Sequence, residues 1–162
     1  MGINMLKVFL VEDEFVVREG IMHNIDWLSH GYDFCGEASD GELALPMIEK
    51  LQPDILITDI KMPFMTGLEL AKELHLRKST VKIVLISGYQ EFDYAREALR
   101  YGVKEYILKP TKYDELIKVF SRIKEDLDLD QAKQESATGE PIEGSNYSEK
   151  VIAAIKHYIQ EN

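Results

Sequence analysis

The stretch DILITDIKMP, Asp54 to Pro63, decides how this chain is read. Ile55 to Thr58 are apolar or β-branched without a break, and Asp59 follows at once. Met62-Pro63 then closes the run, because proline cannot continue a strand ladder. A short unbroken apolar run bounded by turn chemistry suits a strand buried on both faces. Asp59 then stands where the strand leaves the core. In an open parallel sheet that end is where ligands and chemistry gather.

Four further runs of the same kind lie around it. Leu6 to Val11 (LKVFLV) reads as a first strand and ends in Glu12, Asp13 and Glu14. Tyr32 to Ala38 (YDFCGEA) is more polar and belongs nearer an edge. Val81 to Ile86 (VKIVLI) ends at Ser87-Gly88, and Val103 to Leu108 (VKEYIL) ends at Lys109-Pro110.

Helical periodicity fills the intervals. The first helix aligns Val17, Ile21, Ile25 and Leu28. The second opens at the capping-box pair Ser39 and Glu42 and buries Ala44, Met47, Ile48 and Leu51. Pro46 inside it predicts a kink or a late start. The third is capped by Thr66 and Glu69 and buries Leu70, Ala71 and Leu74. The fourth carries Phe92, Ala95, Ala98 and Leu99 and stops at Gly102. The fifth runs from about Lys112 to the Leu127 region, with Leu116, Phe120, Ile123 and Leu127 aligned. Core packing accounts for these better than a coiled-coil seam.

Strands alternating with helices over short connections predict an α/β fold with right-handed crossovers. The expected architecture is a flavodoxin-like, doubly wound, five-stranded parallel sheet in the order 2-1-3-4-5, with helices on both faces. That order places Glu12, Asp13 and Asp59 side by side, and brings Ser87 and Lys109 to the same edge.

From about Ala132 the composition turns polar and rich in Gly, Ser and Glu. The expected organisation is one domain over residues 1–131, a flexible linker over 132–147, and over 148–162 a helix that opens a further domain. The alternative is a C-terminal helix docked on the first domain. Its apolar side is Val151, Ile152, Ile155 and Ile159.

The 162 residues carry a net charge of −10 and no evident basic patch, which disfavours nucleic acid and anionic lipid as direct partners. No transmembrane run or signal peptide is apparent, so a soluble cytoplasmic protein is expected. Cys35 is the single cysteine, in an apolar stretch with no cationic neighbour, and reads as a buried thiol. The histidines are scattered without zinc-ligand spacing.

The constellation at the sheet edge is then Glu12, Asp13, Asp59, Ser87 and Lys109. Acids at a helix start satisfy its dipole, which explains one or two of them. Three in a row at a buried strand's exit repel one another and call for a cation. Oxygen ligands without histidine or cysteine point to Mg2+, which keeps waters and binds one or two carboxylates plus a phosphate. A lysine and a hydroxyl opposite the ion suit a transferred phosphoryl group. A carboxylate there is a candidate nucleophile. Taken singly, each residue has a plainer use in a cap, a turn or the solvated surface, and Tyr106 in strand packing. Taken together, they are hard to attribute to capping.

Residues 5 to about 127 resemble the receiver domain of a bacterial two-component response regulator. The resemblance is carried by VEDE at 11–14, ASDGELAL at 38–45, PDILITDIKMPFMTGLEL at 53–70, ISGYQEFDYAREAL at 86–99 and YGVKEYILKP at 101–110. It implies Asp59 as phosphoacceptor, a sensor histidine kinase as donor, and no enzymatic turnover beyond self-phosphorylation and self-dephosphorylation. It implies Asp13, Asp59 and the Lys61 carbonyl as Mg2+ ligands, with Glu12 reaching the ion through a water. It also implies Lys109 against the phosphoryl group, a cis Lys109–Pro110 bond, and Ser87 with Tyr106 as a switch pair. Phosphorylation would then rearrange the face of the fourth helix, fifth strand and fifth helix, a candidate homodimer surface. Glu12 stands where aspartate is commoner, and Ser87 where threonine is. SGYQEFDYAREAL and Trp27 are similar to regulators with an AraC-type helix-turn-helix output, and SEKVIAAIKHYIQEN resembles the opening helix of that output. The helix-turn-helix itself would lie beyond Asn162, so no direct DNA binding is expected of this chain.

Two rivals are weaker. A phosphatase of the haloacid dehalogenase type needs a second aspartate two residues after the first, where this chain has Lys61. A flavodoxin-like flavin binder needs a hydroxyl- and glycine-rich phosphate loop after the first strand, where Glu12-Asp13-Glu14 would repel it.

Overall fold

The computed structural model describes residues 5–88, 92–110 and 112–135. Within them the chain alternates β1 (Leu6–Val11), α1 (Phe15–Asn24), β2 (Tyr32–Ala38), α2 (Gly41–Leu51), β3 (Ile55–Asp59), α3 (Gly67–Leu76), β4 (Lys82–Ser87), α4 (Phe92–Ala98), β5 (Glu105–Leu108) and α5 (Tyr113–Glu135). The five strands form one parallel sheet in the order β2-β1-β3-β4-β5, as the alternation predicts.

Every residue of the central strand β3 is buried. That explains its unbroken apolar run: with helices on both faces there is no solvent side for alternate residues to meet. Odd and even positions of the strands feed two separate cores. Phe9, Leu56 and Leu85 pack with Ile48 of α2 and Leu70 of α3 on one face. Val8, Leu10 and Ile57 pack with Ile21 of α1 and Phe120 of α5 on the other.

Several expectations need correction. Leu28 does not extend the buried face of α1; it is 68% exposed in a 3-10 turn, and Trp27 takes the inward place. Trp27 packs against Tyr32, Phe34 and Phe120 with ring centroids 5.3–6.3 Å apart. Gly31 then ends the turn at φ 88°, a left-handed conformation that suits glycine. The cap of α2 is Asp40, one residue after Ser39, whose carboxylate accepts from the Leu43 N–H. The helix runs through Pro46 without a late start. Ala44 and Ile48 are buried, but Met47 is exposed and Leu51 only half-buried. Cys35 is also half-buried, and burial above all pushes its thiol pKa up, against nucleophilic use.

The capping box of Thr66 and Glu69 is present on both sides, and Leu70, Ala71 and Leu74 are buried. Gly102 closes the turn after α4 at φ 72°. Ala98 of α4 is buried; the side chains of Phe92 and Ala95 lie outside the description. In α5, Leu116, Phe120 and Ile123 are core residues and Leu127 packs partly against them. The helix continues to Glu135, across the first residues of the stretch expected as linker. Residues 136–162, with the rest of that linker and the C-terminal helix, lie outside the described residues. Among the described residues no helix is long and apolar enough to cross a membrane.

Candidate functional site

The register of the sheet assembles the site. Val11 of β1 is opposite Thr58 of β3, so Glu12 and Asp59 leave the core as neighbours. Ser87 of β4 is opposite Leu108 of β5, and the Lys109 N–H donates to the Ser87 carbonyl at 2.7 Å. Lys109 therefore emerges at the same edge, and the bond that joins it to Pro110 is cis.

Its ammonium occupies the centre. Lys109 Nζ donates to Asp59 Oδ2 at 2.8 Å and to Glu12 Oε1 at 3.1 Å, and lies 3.9 Å from Glu14 Oε1. Asp59 is buried, and its second oxygen, Oδ1, accepts from the Ile60 N–H at 2.8 Å. Glu12 is 2% exposed, and its Oε2 is buried without a hydrogen-bond partner. Burial first, and the Asp59 carboxylate next, push the Glu12 pKa up to about 8 against the pull of Lys109. Burial alone would lower the Lys109 pKa, but Asp59 and Glu12 outweigh it and raise the value above the ordinary lysine range.

Asp13 and Glu14 are exposed, and together with Glu12 each offers a carboxylate oxygen within 4.8 Å of the others. The donor set is all oxygen, with one buried oxygen lacking a partner, and that chemistry fits a hard divalent cation. Asp59 adjoins this group through the Lys109 ammonium. Lys61 is exposed in the turn beyond Ile60. Ser87 is buried, and its hydroxyl donates to the Gly88 carbonyl at 2.8 Å. Tyr106 is buried in the core formed with Leu85. Because Leu85 is opposite Tyr106 and side chains alternate, Ser87 and Tyr106 share one face of neighbouring strands.

Three contributors lie outside the constellation read from the sequence. Glu14 belongs to the acid cluster; its signal was the run of three acids. Arg18 donates from Nη1 to the Glu12 carbonyl at 2.7 Å, a contact with no sequence signature. Gly67 lets α3 start against the site: a Cβ there would stand 2.1 Å from the Asp59 carbonyl oxygen. Around this edge Phe15, Val16 and Phe64 are exposed, at 64%, 81% and 79%. A cavity of about 510 Å3 beside Lys109 is lined by Val17, Ile21, Ile86 and Tyr113.

Fold and site together define a doubly wound α/β domain with one acid–lysine cluster at the carboxyl ends of its central strands. The response regulator receiver domain matches residues 8–121, and the chain belongs to that family. It is the receiver domain of a two-component response regulator, and transcriptional regulatory proteins are among its curated relatives. One is the uncharacterised transcriptional regulatory protein YesN of Bacillus subtilis, 41% identical over 119 residues, covering 74% of this chain and 32% of the relative. Another is HptR of Staphylococcus aureus, 33% identical over 130 residues, covering 80% and 50%. The chain thus spans a third to a half of the length of these relatives. Among solved structures, the receiver domain of AraT, a response regulator from Geobacillus stearothermophilus, superposes with a TM-score of 0.72 at 40% identity, covering 78% of this chain and 98% of that one. A two-component AraC regulator from Clostridium phytofermentans gives 0.67 at 29% identity, covering 79% and 98%.

Proposed function

We propose that this domain is a phosphorylation switch in which Asp59 takes a phosphoryl group from a sensor histidine kinase. The observation that carries the reading is the Lys109 ammonium held between two buried carboxylates, Asp59 and Glu12. A lysine so placed neutralises the nucleophile's surroundings and then pairs with the incoming phosphoryl oxygens. The Asp59 carboxylate attacks phosphorus; the new P–O bond forms as the bond to the donor's leaving atom breaks. The Ile60 N–H bonds one carboxylate oxygen, Oδ1, and so orients the group. Asp13, Asp59 and the Lys61 carbonyl would hold Mg2+, with Glu12 behind them. When bound, the ion supplies charge neutralisation for the phosphoryl oxygens. Exposed Phe15, Val16 and Phe64 give a protein donor an apolar contact around the acids.

The phosphoryl group adds negative charge and acceptor oxygens beside Ser87. The Ser87 hydroxyl exchanges its bond to Gly88 for one to the phosphoryl group, and Tyr106, on the same face, turns into the space it leaves. The α4–β5–α5 face changes as a result, biasing a homodimer and an AraC-type DNA-binding output domain joined through the linker. The domain is a cytoplasmic switch rather than an enzyme: its chemistry is confined to gain and loss of the phosphoryl group on its own aspartate.

Incubation with Mg2+ and acetyl phosphate, followed by intact-mass measurement, tests this. The wild type is expected to gain one phosphoryl mass and Asp59→Asn none. An adduct on both proteins would exclude Asp59 as acceptor. Sustained hydrolysis of an unrelated phosphate ester would favour the phosphatase reading instead, and a bound yellow chromophore the flavin one.

A further inference from the structure

The acidic loop that serves Asp59 must keep one shape although its charges repel. Glu12, Asp13 and Glu14 are consecutive, with carboxylate oxygens within 4.8 Å of one another. The start of α1 holds the backbone of Glu14, whose carbonyl accepts from the Arg18 N–H at 2.9 Å, but at this N-cap the Glu14 side chain makes no cap bond. The amide of Glu12 is tied to the Ala38 carbonyl at the end of β2, at 3.0 Å. Its carbonyl is tied to Arg18 Nη1 at 2.7 Å. Arg18 is in turn anchored twice, with Nε 3.7 Å from Glu37 Oε1 on β2 and the guanidinium 5.6 Å above the Phe15 ring.

Pairing with Glu37 does not account for this arrangement. The Arg18 side chain is 14% exposed, and burying a guanidinium is costly unless its partners are close. The contact with Glu37 is loose, and Glu37 Oε2 is buried with no hydrogen-bond partner. The short bond is the one to the Glu12 carbonyl. Because the peptide unit is planar, fixing that carbonyl fixes the unit joining Glu12 to Asp13. It thereby sets the directions in which two successive carboxylates leave the chain.

We propose that Arg18 is a positioning residue for the divalent cation, acting through the Glu12–Asp13 peptide and without touching the ion. The inference rests on the Mg2+ reading of the site given above. The test is Mg2+ titration calorimetry on the whole chain, with metal-free thermal melting of the same samples. Arg18→Met is expected to weaken Mg2+ binding about tenfold, the lower end of what losing a partner behind a metal ligand costs. Glu37→Gln leaves the carbonyl bond in place and should bind within about twofold of wild type. Arg18→Gln is too short to reach the carbonyl; it carries the same expectation as Arg18→Met and decides the matter if that variant does not fold. Binding by the arginine variants equal to wild type would overturn the proposal. So would an equal loss in Glu37→Gln, or a loss tracking a fall in metal-free melting temperature of more than about 10 °C. A wild type that binds no Mg2+ would overturn the reading of the site itself, and the positioning role with it.

Discussion

Glu12 and Glu105 are both buried glutamates among the described residues, and they are treated differently. Glu105, at the start of β5, is 6% exposed and accepts from Arg122 Nε of α5 at 2.9 Å. Glu12, beyond β1, is 2% exposed, shares one lysine with Asp59, and keeps a buried oxygen with no hydrogen-bond partner. The first is a closed ion pair between a strand and a helix. The second sits in a cluster with more negative groups than cations. One buried charge cancelled and another left short of compensation is what the Mg2+ site proposed above would require.

The two glutamates differ most visibly in their response to pH. With its folded pKa raised from the ordinary 4.5 to about 8, Glu12 binds a proton more tightly in the folded than in the unfolded chain. Between those two values the folded state therefore carries the extra proton, and stability falls as pH rises. Lys109, raised above its ordinary 10.5, contributes in full throughout this window and adds no slope. Urea unfolding without divalent metal, compared between wild type and Glu12→Gln, isolates the effect. The variant's advantage should grow by several kcal/mol from about pH 5 to pH 8 and shrink on adding Mg2+. A difference independent of pH would mean that Glu12 is already compensated.

The positions of these charges were legible because strand ends are legible. The run Ile55 to Thr58 has no second reading once both faces are buried, and the order β2-β1-β3-β4-β5 turns four strand ends into one site. Side-chain detail was less accessible. Trp27 displaced Leu28 from the core because the helix ended at Asn24, and periodicity does not reveal where a helix yields to a 3-10 turn. Asp40 capped α2 although Ser39 and Glu42 had the right spacing, since neighbouring residues with equal capping ability are decided by the chain's entry path. Gly67 and Arg18 act on backbone atoms close in space, which no sequence pattern displays.

Removing the shared cation gives the next largest effect. In Lys109→Met, Glu12 and Asp59 face one another with their common donor gone. The loss should be about 3 kcal/mol in metal-free buffer at neutral pH, as for other buried pairs broken on one side. Saturating Mg2+ should return part of it, because the ion supplies the charge the lysine gave. Urea titrations with and without Mg2+ measure both quantities; an Mg2+-independent loss would separate the lysine from the metal site.

Arg122→Met opens the closed ion pair and has the smallest effect. Glu105 loses the charged partner that accepted it into the core, but the Arg122 side chain is 49% exposed, so water reaches the broken pair. The expected cost is about 1 kcal/mol. The decisive feature is its indifference to metal: Mg2+ should stabilise Arg122→Met and wild type by equal amounts, because Glu105 and Arg122 stand on β5 and α5, away from the acid cluster. A Mg2+-dependent difference would couple the two ion pairs through β5, which also carries Tyr106. Glu105 would then belong to the switch rather than to the scaffold.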